Sequence, residues 1–394
     1  MRIDSVDCFY LRAPDVTDAA DGTQDSFLVR VRSDDGLEGW GESDASPLVS
    51  LAVYCCPTSH GNIINIRESL VGETLDRVED IGRLHAKALR NGLDIQQIHH
   101  AYAAADIALW DLLGKRLNEP VWRLLDGAAA RPHPKRPYAS SLFGDTPDAT
   151  RALAAERRKA GFTAAKFGWG PMGRFGREND VALVQAAREG LGKEPLLLVD
   201  AGVVWGEDDA TAAQRSADFA PFGCGWLEEP LSPTAIEAYR RLTSRKPPVP
   251  IAAGEGSGRY RDAKDMLVNG GVAFIQIDAG RIGGITPAHQ VRKLAELRGV
   301  TYVNHTFKSH LSLAATLRVF ATTPAFELLE YPTGGSALAQ NLTNERLERG
   351  ADGLVRLPEK PGLGVTVNVK TVREYLKPVA IEIGGEKVYV QAAV

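Results

Sequence analysis

Hydrophobic and polar residues follow two different rhythms along this chain. Before residue 126, short runs alternate apolar and polar positions: residues 3–9 (Ile-Asp-Ser-Val-Asp-Cys-Phe), 26–32 (Ser-Phe-Leu-Val-Arg-Val-Arg) and 37–42 (Leu-Glu-Gly-Trp-Gly-Glu). A period of two belongs to strands with one buried face, so these runs predict an antiparallel meander of three strands. Asp34-Asp35-Gly36 predicts a tight turn between the last two. From residue 75 to 125 the period lengthens. Ile98, Tyr102, Ala105, Ile107, Ala108, Leu109, Leu112 and Leu113 share a helical face.

A proline-rich break, Arg131-Pro-His-Pro-Lys-Arg-Pro137, ends this pattern. Beyond it, strand, loop and helix repeat. Strands are predicted at 138–143 and 163–167, and then in the runs 195–199, 225–227, 251–254, 274–277, 301–304 and 326–329. Helices are predicted at 150–160, 179–189, 260–269, 287–298 and 311–321. Such alternation implies a parallel sheet with right-handed crossovers. Eight strands close it into a modified (β/α)7β TIM-like barrel. The last segment, 379–383, Gly384-Gly385, 387–390, reads as a hairpin returning to the first domain. The expected organisation is an α+β capping domain at 1–130, the barrel at 131–365, and a tail at 366–394 that completes the capping domain.

Six residues stand at or just past the carboxyl ends of successive barrel runs: Asp200, Glu228, Glu255, Asp278, His305 and Glu330. Neighbours are 23 to 28 residues apart. In a barrel these ends converge on one mouth. Three carboxylates from adjacent strands (Asp200, Glu228, Glu255), without thiols or imidazoles, suit Mg²⁺ better than zinc. Any one acid alone would more often be a solvated loop residue; three in succession make a site. Asp278 and His305 come from neighbouring strands, where an Asp fixes the imidazole tautomer and raises its basicity. Lys166, ending the second strand across the mouth, is placed to bind substrate, shift a neighbour's pKa or carry protons. One reaction fits: a metal-bound substrate carboxylate acidifies the adjacent carbon, whose proton is removed to give an enediolate.

Composition narrows the setting. The 394 residues are 44% hydrophobic and 24% charged with net charge −4, which gives no electrostatic case for nucleic acid or an anionic membrane. The N-terminus has no apolar signal core and no apolar run is long enough to span a bilayer, so a cytoplasmic protein is expected. Cys8, Cys55, Cys56 and Cys224 have neither zinc-ligand spacing nor the density of a disulfide scaffold, and packing roles are expected.

At these residues the chain resembles the enolase superfamily, specifically the mandelate racemase subgroup and its acid-sugar dehydratases. The likeness runs through Asp106-Ile-Ala-Leu-Trp-Asp-Leu-Leu-Gly-Lys115, Trp226-Leu-Glu-Glu-Pro230, Ala253-Gly-Glu255, Gln276-Ile-Asp-Ala-Gly-Arg-Ile-Gly-Gly-Ile285 and Leu329-Glu-Tyr-Pro332. It implies one Mg²⁺ per subunit on Asp200, Glu228 (the first of Glu228-Glu229) and Glu255. It also implies a dyad of Asp278 with His305, and Glu330 donating a hydrogen bond to the substrate carboxylate. Two departures stand out. The family's Lys-x-Lys is Lys166-Phe167-Gly168 here, so only the first, modulating lysine is matched, and racemisation, which needs a base on each face, is disfavoured. The family's Asp-x-Asn is Asp200-Ala-Gly202. Asp278 replaces the lysine that the muconate-lactonising and dipeptide-epimerising enzymes place after the sixth strand.

The resemblance implies a dehydratase of a sugar acid giving a 2-keto-3-deoxy acid, with a 2R substrate because the family's His face handles that configuration. The alternatives are a cycloisomerase or epimerase of an acid-sugar lactone, and a catalytically silent carboxylate-binding protein. Capping loops at 12–25 and 46–62, including His60, are expected to choose the substrate. Lys308 and His310 stand equally as substrate contacts or as the start of a helix, and Trp169 equally as pocket wall or core. Homo-oligomerisation is expected by analogy with such barrels.

Overall fold

The structure, a computed structural model, describes residues 1–17, 21–44, 46–59 and 63–394. His60 and parts of both capping loops lie outside the described residues.

Strands β1 (Ile3–Arg12), β2 (Asp25–Ser33) and β3 (Glu38–Ser43) form the antiparallel meander. The turn between β2 and β3 passes through Gly36 at φ 84°. The sheet packs on the helix Ile98–Leu117, which is buried on nearly every side. Two glycines of β3 make that contact: a β-carbon on Gly39 or Gly41 would lie 2.1 or 2.0 Å from a carbonyl oxygen of this helix.

The barrel strands are β4 (Arg136–Leu142), β5 (Ala164–Gly168), β6 (Leu196–Asp200), β7 (Cys224–Glu228), β8 (Ile251–Ala253), β9 (Phe274–Ile277), β10 (Thr301–Asn304) and β11 (Leu328–Pro332). Parallel ladders join them in the order β10-β9-β8-β7-β6-β5-β4-β11. Between β10 and β11 the described residues show no ladder; the buried Asn304 side chain bridges the gap. Its Nδ2 donates to Glu330 O (3.2 Å) and its Oδ1 accepts from Glu330 N (2.8 Å). The barrel centre is filled by Tyr138, Ala164, Leu198, Trp226, Ala252 and Val303, a cluster separate from the main core. Because strand side chains alternate faces, the residue two places on points inward one layer higher. Those residues are Ser140, Lys166, Asp200, Glu228, Gly254 and His305. The strand period therefore puts most of the polar groups above an apolar plug; Glu255 falls one residue out of it, past Gly254 at φ 128°.

Several expected boundaries shift. β5 runs to Gly168, so Lys166 sits in mid-strand, and β11 runs to Pro332, so Glu330 is central in its strand. Helices Asp209–Phe219 and Ile236–Ser244 fill the crossovers that had no helical pattern. The first is mostly alanine and polar residues and is started by Asp208, whose side chain accepts from Thr211 N at 3.0 Å. The single helix expected at 260–269 is an α-helix, Tyr260–Asp265, followed by a π-helical turn, Met266–Gly270.

Strands β12 (Ala380–Ile383) and β13 (Glu386–Val390) form the C-terminal hairpin. Tyr389 Oη (2.9 Å) and Gln391 Nε2 (2.6 Å) both donate to Cys8 O in β1, and Lys377 N donates to Tyr10 O at 2.8 Å. All four cysteines are free thiols. No helix among the described residues is long and apolar enough to cross a membrane.

Candidate active site

Three neighbouring strands supply the acids. Asp200 ends β6 and Glu228 ends β7, facing each other in register, and Glu255 lies two residues beyond β8. All three are buried, and one oxygen from each lies within 4.8 Å of the others. Glu255 Oε2 is buried without a hydrogen-bond partner. Burial, reinforced by repulsion from the neighbouring acids, overcomes Lys166's attraction and pushes Asp200 up to about 6 and Glu228 well above the carboxylate range. Hard oxygen donors, an orphaned buried oxygen and excess negative charge are what a divalent cation would satisfy. The donor set fits Mg²⁺.

Glu229, the second acid of the pair, turns away from this cluster. Its backbone has φ 34°, and its Oε1 accepts from the N–H groups of Gly254 and Gly256, both at 3.2 Å. It thereby clamps the loop that carries Glu255.

Asp278 and His305 are the first residues beyond β9 and β10. His305 Nδ1 is 2.7 Å from Asp278 Oδ2, a carboxylate oxygen that only accepts, so Nδ1 carries a proton. Asp278 Oδ1 accepts from Gly280 N at 2.6 Å, which fixes the carboxylate. His305 Nε2 faces the acids, 3.5 Å from Glu255 Oε2 and 4.0 Å from Glu330 Oε2. Burial works against a charged imidazole, but the nearby Glu255 carboxylate, together with Glu330 and Asp278, outweighs it and lifts His305 to about 10.

Lys166 reaches up from mid-β5 and places Nζ among three acids: Glu228 at 2.5 Å, Glu330 at 2.8 Å and Asp200 at 3.4 Å. Burial opposes its charge, yet these carboxylates hold it well above the usual lysine range. Glu330 is an acceptor on both sides, from Ser140 Oγ (2.8 Å) and Thr306 N (2.7 Å). Despite burial, Lys166 and His305 hold its carboxyl below the ordinary range. A donor role for Glu330 therefore requires it first to take up a proton.

A cavity of about 190 Å³ opens above these groups. Trp169 lines it, 36% exposed with φ 55°. Its indole packs on Gly202, where a β-carbon would lie 2.8 Å from the ring. Glycine at the position of the family's asparagine is what makes room for this indole. Sequence reasoning missed Asp44 and Arg281. Arg281 binds Asp44 of the capping domain through Nε and Glu255 through Nη1 at 3.3 Å. Its signal was present in Asp278-Ala-Gly-Arg281, a cation one turn after the dyad's acid. Lys308 donates to Asp25 O at 3.0 Å and lies 3.5 Å from Asp44 Oδ1, so it ties the barrel to the capping domain. His310 begins the helix His310–Phe320, and its Nδ1 accepts from Leu347 N at 3.1 Å.

Comparison with known proteins agrees with this architecture. Residues 149–371 match the family model described as enolase C-terminal domain-like. Residues 12–126 match that of the mandelate racemase/muconate lactonizing enzyme N-terminal domain. The chain is 31% identical to D-galactarolactone cycloisomerase of Agrobacterium fabrum, over 89% of this chain and 91% of that one. It is 30% identical to L-talarate/galactarate dehydratase of Salmonella typhimurium, over 88% and 81%. A crystal structure described as a predicted mandelate racemase from Rhodobacter sphaeroides superposes with a TM-score of 0.95 at 46% identity, covering 100% of both chains. With both family models matched in order and an eight-stranded parallel barrel behind a separate antiparallel sheet, the chain belongs to the mandelate racemase/muconate lactonizing enzyme family of the enolase superfamily.

Proposed function

We propose that this protein is a Mg²⁺-dependent dehydratase of a sugar acid, an aldonate or aldarate, giving a 2-keto-3-deoxy acid. Asp200, Glu228 and Glu255 hold the ion. The bound ion supplies positive charge against the negative charge that builds on a substrate carboxylate as its α-carbon loses a proton. A cation on Glu255 would cancel the charge that most strongly keeps His305 protonated; His305 Nε2 then removes that proton, and Asp278 holds the ring so that Nε2 is the basic atom. The electron pair released at C2 then expels the 3-hydroxyl. His305 returns its proton to this leaving group, water departs, and the enol becomes the 2-keto acid. Glu330 takes up a proton when the substrate carboxylate arrives, because two adjacent carboxylates repel, and then donates to it. Lys166 stays charged between its three acids and steadies them.

The observation that carries this reading is the one-sided arrangement of bases. His305 stands alone on the β9–β10 side. On the β5 side Gly168 has no side chain, and the Lys166 ammonium is clamped by Glu228, Glu330 and Asp200. Elimination by one histidine needs no second base. The relatives named as acid-sugar dehydratases support the substrate class. Those named as cycloisomerases favour a second reading, with an acid-sugar lactone opened or isomerised at the same site. A library of sugar acids and their lactones, incubated with Mg²⁺ and assayed for 2-keto acid, separates the two. Dehydration gives a 2-keto-3-deoxy acid with loss of water from an open-chain acid. Turnover of lactones alone would favour the second reading. Absence of both turnover and α-proton exchange in heavy water would leave a carboxylate-binding protein.

A further inference from the structure

Besides the acids and the dyad, the cavity has a further wall of distinct chemistry. Leu142, Trp169 and Phe307 present apolar surface there, with Ser141 and Asp44 as hydrogen-bonding groups. Every described cation that lines it is already engaged. Lys166 lies among Asp200, Glu228 and Glu330. Arg281 spans Asp44 and Glu255. Behind the wall, Lys308 lies between Asp25 and Asp44, and Arg157 donates to Ser141 Oγ at 3.1 Å without lining the cavity. Among the residues outside the described set only His60 can carry positive charge.

Resting on the dehydratase reading, we propose that the substrate carries a single carboxylate, so that it is an aldonate-type rather than an aldarate-type acid. The carboxylate end lies at the Asp200–Glu228–Glu255 cluster. The uncharged polyol tail lies along Trp169, its carbon-bound hydrogens against the indole face and its hydroxyls toward Asp44 and Ser141. A second carboxylate against this wall would be desolvated beside Asp44 with no free cation among the described residues to pair with. Trp169 serves the same end. The face of an indole left 36% exposed over a cavity offers apolar contact to a carbon chain and no positive charge to an anion. Gly202 permits that placement.

The test is a matched panel: hexonates, each paired with the hexarate of the same C2 configuration, assayed with Mg²⁺ for dehydration and for α-proton exchange in heavy water. The proposal expects kcat/KM for the active hexonate to exceed that of its hexarate by about 10²-fold or more. Trp169→Ala should raise KM for that hexonate about tenfold with a smaller change in kcat, while Trp169→Phe keeps most of the affinity. Calorimetric Mg²⁺ binding by both variants should match the wild type, which separates a lost contact from a disturbed fold. A hexarate used as well as its hexonate overturns the proposal and leaves the dehydratase reading standing. An unchanged KM in a Trp169→Ala protein that binds Mg²⁺ normally also overturns it. Absence of α-proton exchange from every member of the panel overturns the dehydratase reading and this proposal with it.

Discussion

A β-carbon placed on Gly168 would lie 2.6 Å from Asp200 Cβ and 2.9 Å from Asp200 Oδ2. The glycine is thus more than an absent base: nothing larger fits without moving Asp200, an acid of the proposed metal site. Gly168→Lys is accordingly expected to cost metal binding rather than to supply a base on the β5 face. Gly168→Ala, the smaller test, should weaken Mg²⁺ affinity about 10- to 100-fold, the range for changes that displace a metal ligand through its support. Calorimetric titration with Mg²⁺ checks this, and wild-type affinity would contradict it. Glu228→Gln removes a charged donor and should abolish both Mg²⁺ binding and turnover. His305→Asn should reduce turnover by at least about 10²- to 10⁴-fold while leaving Mg²⁺ binding intact. Asp278→Asn should also be slow, through loss of ring orientation. Near-normal turnover by His305→Asn would make His305 structural. At this scale the sequence was readable because strand ends bear the chemistry, and six such ends recur at one interval. Asp44 and Arg281 were not readable, since their pairing joins residues 237 apart across two domains.

The barrel strands were legible from apolar runs, and helices were legible in five of the seven crossovers between them. Ile236–Ser244 and Asp209–Phe219 are short, at 9 and 11 residues, and bury three and two apolar side chains, too few turns to establish a period by themselves. The seam between β10 and β11 was invisible for another reason: it is made by one side chain. Asn304 supplies both a donor and an acceptor where backbone pairing is missing. Asn304→Leu should destabilise the protein by about 1–3 kcal/mol, because the Glu330 amide and carbonyl would stay buried and unpaired. Urea unfolding measures this, and a change below a few tenths of a kcal/mol would contradict it. A second joint lies at the base of the capping domain. Asp126, ending the helix Val121–Asp126, accepts from Thr322 Oγ1 (2.5 Å), lies 3.0 Å from His289 Nε2 and pairs with Arg292. Burial would raise its pKa, but these partners hold it well below the usual carboxylate range. The folded-state pKa lies under the unfolded value of about 3.9. Its stabilisation is therefore complete above that value and is lost as pH falls through the folded pKa. Asp126→Asn should be less stable than wild type at pH 7 by about 1–3 kcal/mol, with the gap narrowing toward pH 3. A gap that stays constant with pH would show that the charge contributes nothing.

Across the whole molecule, the capping domain and the barrel meet at the loops that carry Asp278 and His305. Glu42 of β3 accepts from Ser26 Oγ (2.6 Å), Ser312 Oγ (2.8 Å) and Ser309 Oγ, which also caps the helix His310–Phe320. Asp44 N donates to Gly280 O at 3.1 Å, beside Asp278. The meander therefore braces both halves of the dyad, which is a reason for β3 to be held so closely by glycines. The order of domains and the returning tail follow from the change of rhythm at the prolines. The brace does not, because its partners are single polar residues that look solvated in sequence. The central claim is that one base, on one face, performs the chemistry, and heavy-water NMR tests it most directly. Sugar acids differing only at C2 are incubated with the Mg²⁺-loaded protein, and the α-proton signal of each is followed. The account predicts that the 2R epimer exchanges and is dehydrated, and that the 2S epimer keeps its α-proton. Rapid exchange of the 2S epimer by the wild type would contradict it, since a second base would then have to act from the β5 side.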